Sequence, residues 1–199
     1  TRPVDIHLSA LEKMGADLKL EAGYIVGTCP GGLRGAEISF RFPSVGATQQ
    51  IMMAASLAKG KTTIHNAARE PEIENLGAFL RALGAKVSGD GTDRVKIEGV
   101  SSLGGAEFEV MFDRIEGATL LLAGPITGGR TRVEGVDAAC LKAFLDVLKN
   151  SGASVQTGPG WIEASAGAGG SGVDFETQPH PGFPTDLQAQ MMAYLAQVP

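Results

Sequence analysis

The chain has few charged residues and few cysteines, and both shortages exclude classes of function. Asp, Glu, Lys and Arg make up 20% of its 199 residues, with a formal net charge of −5. Lys and Arg are scattered, whereas binding along a nucleic-acid backbone needs a concentrated basic stripe, so no nucleic-acid partner is expected. Cys29 and Cys140 lie far apart with no CxxC spacing. This cysteine usage predicts a reduced, cytoplasmic protein.

Several familiar sequence features are also missing. There is no signal peptide, and no apolar run is long enough to span a bilayer, so we predict a soluble protein with no membrane partner. No P-loop, dinucleotide fingerprint, nucleophile elbow or zinc-ligand spacing is present, so neither a cofactor nor a metal is expected. The first residue is not Met, and the chain ends just past a predicted helix. We therefore expect an internal fragment of a longer chain.

What the sequence does contain is a long internal repeat. A Gly-Ala pair after an apolar or small residue recurs with its glycines at Gly15, Gly84 and Gly152, so the copies lie 69 and 68 residues apart. A second pattern, GKTTI at 60–64, recurs as GRTRV at 129–133. This period exceeds that of the usual solenoid repeats, so each copy is predicted to be a small α/β module.

The order of elements within one copy follows from hydrophobic period and turn residues. Ile73, Leu76 and Leu80 lie on one helical face, Pro71 suits the first turn of that helix, and Gly84 suits its end. The first complete copy is predicted to contain helices at 47–58 and 71–83 and strands at 61–65, 86–88 and 94–98. The second is predicted to contain helices at 115–126 and 138–150 and strands at 131–134, 154–157 and 161–164. Segment 6–41 supplies half of an earlier copy, 165–172 is a Gly-rich surface loop, and a helix at 187–196 opens a third copy.

The most distinctive segment is 179–186 (PHPGFPTD), which precedes the apolar run 187–196. Three prolines and a glycine cannot continue a helix or a central strand, so this segment is predicted to be a stiff loop ending at a helix start. Asp186 then has two interpretations. It is either a helix N-cap that accepts a backbone N–H, or a carboxylate held rigidly as a general base.

Two other segments are candidates for binding an anion. Segment 43–48 (PSVGAT) precedes a predicted helix, where free N–H groups and Gly46 would let a phosphate approach, although Ser44 could be a plain N-cap. In segment 2–7 (RPVDIH), Arg2 could hold a phosphate and Asp5 could accept from the N–H of a planar ring, unless the segment is only an exposed terminus. The acidic residues in 69–72 and 113–116 are explained by helix dipoles.

Together these segments closely resemble one enzyme family, the UDP-N-acetylglucosamine enolpyruvyl transferases, or 1-carboxyvinyltransferases. The resemblance follows the chain in order from its first residue to its last. The segments that carry it are 2–7 (RPVDIH), 44–48 (SVGAT), 66–73 (NAAREPEI), 91–94 (GTDR), 113–116 (DRIE) and 179–190 (PHPGFPTDLQAQ).

The resemblance implies a fold and a reaction. The fold is an α/β (α+β) inside-out barrel of the enolpyruvyl transferase type, with two lobes built from repeated βαβαββ units and an active site in the cleft between them. Residues 1–111 would be the later part of the first lobe, and 112–199 the earlier part of the second. The reaction transfers the enolpyruvyl group of phosphoenolpyruvate to the 3′-hydroxyl of UDP-N-acetylglucosamine, with release of phosphate. It is the first committed step of bacterial peptidoglycan synthesis.

The resemblance also implies roles for individual residues. Asp186 would bind the 3′-hydroxyl of the sugar and take its proton. The implied substrate-binding residues are Arg2 near the phosphates, Pro3, Val4, Asp5 and Ile6 at the uridine, and Ser44, Val45 and Gly46 at the diphosphate. Two departures stand out. Phe42 occupies a position where the family has lysine, and the family's cysteine loop is absent, since neither Cys29 nor Cys140 has its position. This piece alone is therefore expected to be inactive.

Two alternative functions stay open. The related shikimate-3-phosphate enolpyruvyl transferase shares the implied fold and chemistry, although the uridine-type segment 2–7 argues against it. A repeat-built protein that binds a nucleotide sugar without catalysis would keep the same groove.

Overall fold

The structure is a computed structural model that describes residues 4–167 and 169–198. It divides between Val110 and Met111 into two compact units. Each unit has a hydrophobic core of its own. The assignment of these units to two lobes stays a prediction. No helix of the described residues combines the length and the apolarity needed to cross a membrane.

The first unit contains a two-stranded hairpin and a four-stranded sheet covered by helices. Its elements are α1 (Asp5–Lys13), β1 (Asp17–Glu21), β2 (Tyr24–Thr28), β3 (Glu37–Ser39), α2 (Val45–Ser56), β4 (Lys61–His65), α3 (Pro71–Ala82), β5 (Lys86–Ser88) and β6 (Arg94–Glu98). The sheet has the order β3–β4–β6–β5, in which β3 is parallel to β4 and the other pairs are antiparallel. The predicted strands 61–65, 86–88 and 94–98 are confirmed at their predicted bounds.

Alternation along the strands places the core on one face of this sheet. Ile64 on β4 and Ile97 on β6 are buried, and they share the core with Ile51 of α2 and Ile73 of α3. The neighbours of Ile64 in β4 and of Ile97 in β6 point to the opposite face, because successive side chains of a strand alternate between the two faces of the sheet. The site segments described below lie at the starts of the helices that cover the core face.

The repeated glycines all occupy the same kind of place, just past a helix end. Gly15, Gly84 and Gly152 have φ angles of +98°, +98° and +94°. After α3, the Gly84 N–H donates to the Arg81 carbonyl and the N–H of the next residue donates to the Leu80 carbonyl, both at 2.9 Å. This is the Schellman arrangement, in which glycine is preferred because φ is positive. The helix ends therefore explain why the glycines recur.

The second unit repeats the order helix, strand, helix, strand, strand. Its elements are α4 (Arg114–Leu121), α5 (Ala123–Ile126), β7 (Arg130–Glu134), a 3₁₀ turn (Ala138–Leu141), α6 (Lys142–Asn150), β8 (Ser154–Gly158), β9 (Trp161–Ser165), a second 3₁₀ turn (Thr185–Leu187) and α7 (Gln188–Leu195). Its sheet has the order β7–β9–β8 with both pairs antiparallel. The core contains Phe144 and Leu148 from α6 with Leu187 and Met191.

The prediction of a single helix at 115–126 is wrong, because the helix is interrupted at Leu122, between α4 and α5. Pro125 has no backbone N–H to continue the helical ladder. The backbone of Gly124 also lies directly against that of Thr131 at the start of β7, where a Cβ atom would collide. Tertiary packing against the strand thus overrides an apolar pattern that continues through the break.

Candidate functional site

The start of α1 carries the segment predicted to bind a nucleotide. Two of its predicted residues, Arg2 and Pro3, lie outside the described residues. Val4 is the N-cap and is 45% exposed. Asp5, also exposed, forms an ion pair with Arg41, with 2.5 Å between Oδ2 and Nη2. Ile6 is only 8% exposed and packs into the core. Ile6 therefore anchors the segment, while Val4 and Asp5 remain at the surface.

The start of α2 carries the segment predicted to bind the diphosphate. Ser44 is its N-cap, and the Ser44 hydroxyl accepts from the Ala47 N–H at 3.3 Å. The capping interpretation of Ser44 is therefore correct, although its hydroxyl keeps a hydrogen to donate. Val45 and Gly46 occupy the first turn, where N–H groups have no carbonyl partner within the helix. Gly46 is exposed, so its backbone can approach an anion closely.

Side chains join these two helix starts to the loop before α3. His7 Nδ1 lies 2.5 Å from Gln50 Oε1, which links α1 to α2. The Thr48 hydroxyl, fully buried, accepts from the Ala68 N–H at 3.0 Å. The first unit therefore brings together three segments that sequence reasoning had considered separately, at 5–7, 44–48 and 66–72.

Glu70 is a functional candidate that sequence reasoning set aside. It is the N-cap of α3 but makes no side-chain capping bond. Its Oε2 atom is buried and has no hydrogen-bond partner among the described residues. A buried carboxylate oxygen without a protein donor requires one from water or from a ligand, so its position makes Glu70 a candidate binding residue. The residue type alone could not have shown this, because acidic residues are common at helix starts.

The position where the resembled family has lysine is occupied by an exposed aromatic ring. Phe42 is 42% exposed, and the Arg41 guanidinium lies 5.4 Å from the centre of its ring. Arg41 is also the partner of Asp5. Arg41, the cation next to Phe42 in the sequence, is thus paired with a carboxylate of α1.

In the second unit, the proline-rich loop is anchored on both sides of Asp186. The Gln178 N–H donates to the Phe183 carbonyl at 2.9 Å. Phe183 is 4% exposed, and its ring packs against Phe175 at 4.5 Å between centroids. On the other side, Leu187 is fully buried. These anchors hold the intervening residues in place.

Asp186 itself is exposed and does not cap a helix. It lies inside the 3₁₀ turn Thr185–Leu187, whose N-cap is Pro184 and which has no side-chain capping bond. The N-cap interpretation is therefore wrong, because Asp186 follows Pro184, the N-cap of the turn, and precedes Leu187, the N-cap of α7, and neither start has a side-chain capping bond. Among the described residues, the Asp186 carboxylate has no hydrogen-bond or ion-pair partner. It is available to a ligand.

A cavity of about 290 Å³ lies beside this loop. His180, Pro181 and Pro184 line one side, and Arg114 and Cys140 lie across from them. The side chain of Arg114 is mostly buried, with 7% of the residue exposed. The cavity thus brings a guanidinium and an imidazole, together with Lys142 and Asp146 of α6, close to the loop that carries Asp186.

Helix capping explains one acidic motif, and metal binding has no support in the described residues. Asp113 Oδ1 accepts from the N–H groups of Ile115 at 2.9 Å and Glu116 at 3.0 Å, so it caps α4. In residues 4–167 and 169–198, no group of three or more His, Cys, Asp or Glu side chains is placed to hold a metal ion.

Comparison with known proteins identifies the family. The family model described as EPSP synthase (3-phosphoshikimate 1-carboxyvinyltransferase) matches residues 1–198. A relative from Klebsiella pneumoniae (strain 342), UDP-N-acetylglucosamine 1-carboxyvinyltransferase, is 50% identical over 190 residues, which are 95% of this chain and 45% of the relative. The chain thus spans about half the length of the curated relative that it matches.

Solved structures show the same mixed α/β fold. The enolpyruvyl transferase NikO from Streptomyces tendae matches with a TM-score of 0.86 at 21% identity, covering 99% of this chain and 50% of NikO. EPSP synthase from Acinetobacter baumannii matches with a TM-score of 0.64 at 21% identity, covering 97% of this chain and 44% of that enzyme. With the match of the family model over nearly its whole length, the chain belongs to the EPSP synthase family of carboxyvinyltransferases.

Proposed function

We propose that this chain is part of an enzyme that transfers the enolpyruvyl group of phosphoenolpyruvate to the 3′-hydroxyl of UDP-N-acetylglucosamine, with release of phosphate. The observation that carries the proposal is the 50% identity to a relative named for that substrate. The EPSP synthase from Acinetobacter baumannii is only 21% identical. The reaction would take place in the cytoplasm and supply peptidoglycan synthesis, and hence cell wall growth and division.

The element order supports an inside-out barrel built from βαβαββ units. In both units a helix, strand, helix and two strands follow one another, and the central strand, β6 or β9, is antiparallel to both neighbours. In the first unit β3 precedes this series and pairs in parallel with β4. We take residues 1–111 as the later part of one lobe and 112–199 as the earlier part of the other.

The first unit would bind the nucleotide. With Asp5 exposed at the start of α1, its carboxylate can accept from the uracil N–H while Arg41 holds it in place. Ile6 would contribute through its backbone, because its side chain is in the core. Val45 and Gly46 offer helix-start N–H groups to the diphosphate, beside the Ser44 hydroxyl. We include Arg2, Pro3 and Val4 among the residues that bind the nucleotide because the family resemblance implies this role.

Asp186 would act as the general base. The sugar hydroxyl must lose its proton while phosphoenolpyruvate becomes an oxocarbenium-like species, and a carboxylate fixed between buried anchors can take that proton. Asp186 is exposed and has no partner among the described residues, so its carboxylate oxygens can contact the sugar hydroxyl. Cations of the full-length enzyme would bind the carboxylate and phosphate of phosphoenolpyruvate and offset the negative charge on the departing phosphate.

The test is phosphate release by the protein extended to the length of its relative. We expect release to require both substrates. Asp186→Asn should reduce turnover by about 10²- to 10⁴-fold, because a positioned base contributes that much. The matched control is Asp174→Asn, an exposed carboxylate of the same unit, which should leave turnover unchanged. Undiminished turnover in Asp186→Asn would remove this residue from the mechanism.

The description of the family model favours a second candidate, 3-phosphoshikimate as the acceptor. Competition between UDP-N-acetylglucosamine and shikimate 3-phosphate for one pool of phosphoenolpyruvate separates the two, and we expect only the nucleotide sugar to be consumed. Tight binding of the nucleotide sugar with no turnover of either acceptor would instead indicate a binding protein.

A further inference from the structure

The face of the first unit's sheet that is turned away from its core is lined with lysines. Cross-strand pairing places residues of β4, β6 and β5 in rows on this face. One row is Lys61–Glu98–Lys86, and the next is Thr63–Lys96–Ser88. The row between them faces the other way, into the core, and its members Thr62, Ile97 and Val87 are buried.

Positive charge exceeds negative charge on these three strands. Glu98 is shared by two lysines, with Lys86 Nζ at 2.9 Å and Lys61 Nζ at 3.5 Å from its carboxylate oxygens. The hydrogen bond from Lys86, assisted by the charges of Lys86 and Lys61, lowers the pKa of Glu98. Lys96 has no hydrogen bond or ion pair with any described residue and is exposed. Arg94, next to Lys96 on this face of β6, is a fourth cation, set against the carboxylates of Glu98 and of Glu37 on β3, the latter paired with His65 at 2.7 Å.

The corresponding face of the second unit shows that this surplus is not required by the topology. There, Arg130 pairs with Glu163 at 3.6 Å and Arg132 with Glu134 at 3.2 Å. The Arg132 guanidinium also stacks on the Trp161 ring, 4.0 Å from its centre. Two cations and two carboxylates therefore pair with one another on three strands whose order, β7–β9–β8, matches that of β4–β6–β5.

Protection of the sheet edge explains only part of the lysine face. Lys86 lies on β5, the edge strand, where lysine commonly discourages pairing with other chains. Lys96 lies on β6, which is paired on both sides, by β4 and β5. An unpaired cation at a central position of the sheet, in a chain of net charge −5, needs another reason.

We propose that this lysine face, lined by Lys61, Lys86, Lys96 and Ser88 around a depression of about 390 Å³, is a docking surface for an acidic, extended segment of a partner protein. Lys61 and Lys86 already converge on the Glu98 carboxylate, so Lys96 and Arg94 are the cations of this face that are left for a ligand. Arg94 and Lys96 alternate along β6 and are therefore about 7 Å apart, which matches the spacing of alternate side chains in an extended peptide. A carboxylate above Lys96 can also accept from the Ser88 hydroxyl. A duplex would need a longer basic stripe.

The experiment measures binding of a fluorescein-labelled peptide of about ten residues with alternating Glu and Ser, by fluorescence anisotropy at two salt concentrations. A peptide with Gln in place of Glu is the control for charge. We expect the Glu–Ser peptide to bind more weakly at the higher salt concentration, and Lys96→Gln to weaken binding about threefold to fivefold. Arg132→Gln, on the matched face of the second unit, should leave binding unchanged.

Three results would overturn the proposal. The first is no binding of the Glu–Ser peptide beyond that of the Gln–Ser peptide. The second is an equal loss of affinity in Lys96→Gln and Arg132→Gln, which would indicate attraction by overall charge. The third is tighter, Lys96-dependent binding of oligothymidylate or of anionic phospholipid vesicles, which would assign the face to another class of partner. The inference does not rest on the transferase reaction, and loss of turnover in other variants leaves it unaffected.

Discussion

Thr62 buries a hydroxyl group that has no hydrogen-bond partner. It lies on the core face of β4 with 1% of its surface exposed, and no described residue bonds to its Oγ1 atom. Such a group keeps the penalty of leaving water, about 1 to 3 kcal/mol. Thr62→Val replaces the hydroxyl with a methyl group of similar shape. We expect the free energy of unfolding, measured by urea denaturation, to rise by about 1 kcal/mol.

The next residue of the strand provides the control. Thr63 is only partly buried, and its hydroxyl makes a hydrogen bond to the Glu37 carboxylate. Thr63→Val should therefore bring no gain in stability. Equal gains in both variants would show that valine's preference for strands, and not the orphaned hydroxyl, is the cause.

Glu98 makes the first unit sensitive to acid. The hydrogen bond from Lys86, and then the charges of Lys86 and Lys61, lower the pKa of this carboxyl group. Because the folded pKa lies below the unfolded one, the stabilisation is complete above the ordinary carboxyl range and is lost as the pH falls through the lowered pKa. Between about pH 6 and about pH 3, we expect the melting temperature of Glu98→Gln to fall less than that of the parent protein. Parallel curves for the two proteins would contradict this expectation.

At the scale of elements, the helix-ending glycines carry a measurable conformational requirement. Gly84 has a φ of +98°, yet a Cβ atom built on it would meet nothing within 4 Å. Gly84→Ala should therefore cost about 1 kcal/mol of unfolding free energy, all of it from backbone conformation. Gly105 has equally open surroundings without a positive φ, so Gly105→Ala should cost nothing. Comparable losses in both variants would exclude the conformational explanation.

Elements whose limits are set locally were predictable from the sequence. Strands β5 and β6 are separated by a Gly-rich turn, and Pro71 and Gly84 bracket α3, so these bounds could be predicted closely. The break between α4 and α5 could not, because it depends on the contact of Gly124 with the β7 backbone. In the same way, no local pattern distinguishes a 3₁₀ turn around Asp186 from the first turn of α7.

The candidate site shows the same division between local and tertiary information. Ser44 could be recognised as a helix start from its own neighbours. That Thr48 ties this start to Ala68, and that an oxygen of Glu70 is buried without a donor, depends on packing between segments distant in sequence. Family resemblance supplied the role proposed for Asp186, and the structure adds that its carboxylate caps nothing.

At the scale of the whole molecule, the chain contains two hydrophobic cores that share no residue. Phe144 is fully buried in the second core, where its ring lies 6.2 Å from that of Phe183. Ile73 is fully buried in the first. Residues proposed to bind the nucleotide belong to the first unit, and Asp186 belongs to the second. The stability of each core therefore governs a different part of the proposed function.

Phe144→Ala should destabilise the second unit by about 3 to 5 kcal/mol, because it removes a large ring and leaves a cavity. We expect amide hydrogen exchange to accelerate on β7 and β9 while β4 and β6 keep their protection. Ile73→Ala is the reciprocal variant, with a cost of about 2 to 5 kcal/mol and the opposite pattern of exchange. If either substitution lowers protection equally in both sheets, the two cores unfold as one cooperative unit. Since Phe183 also anchors the loop before Asp186, the exchange pattern of Phe144→Ala shows whether that loop can loosen while the nucleotide segments stay folded.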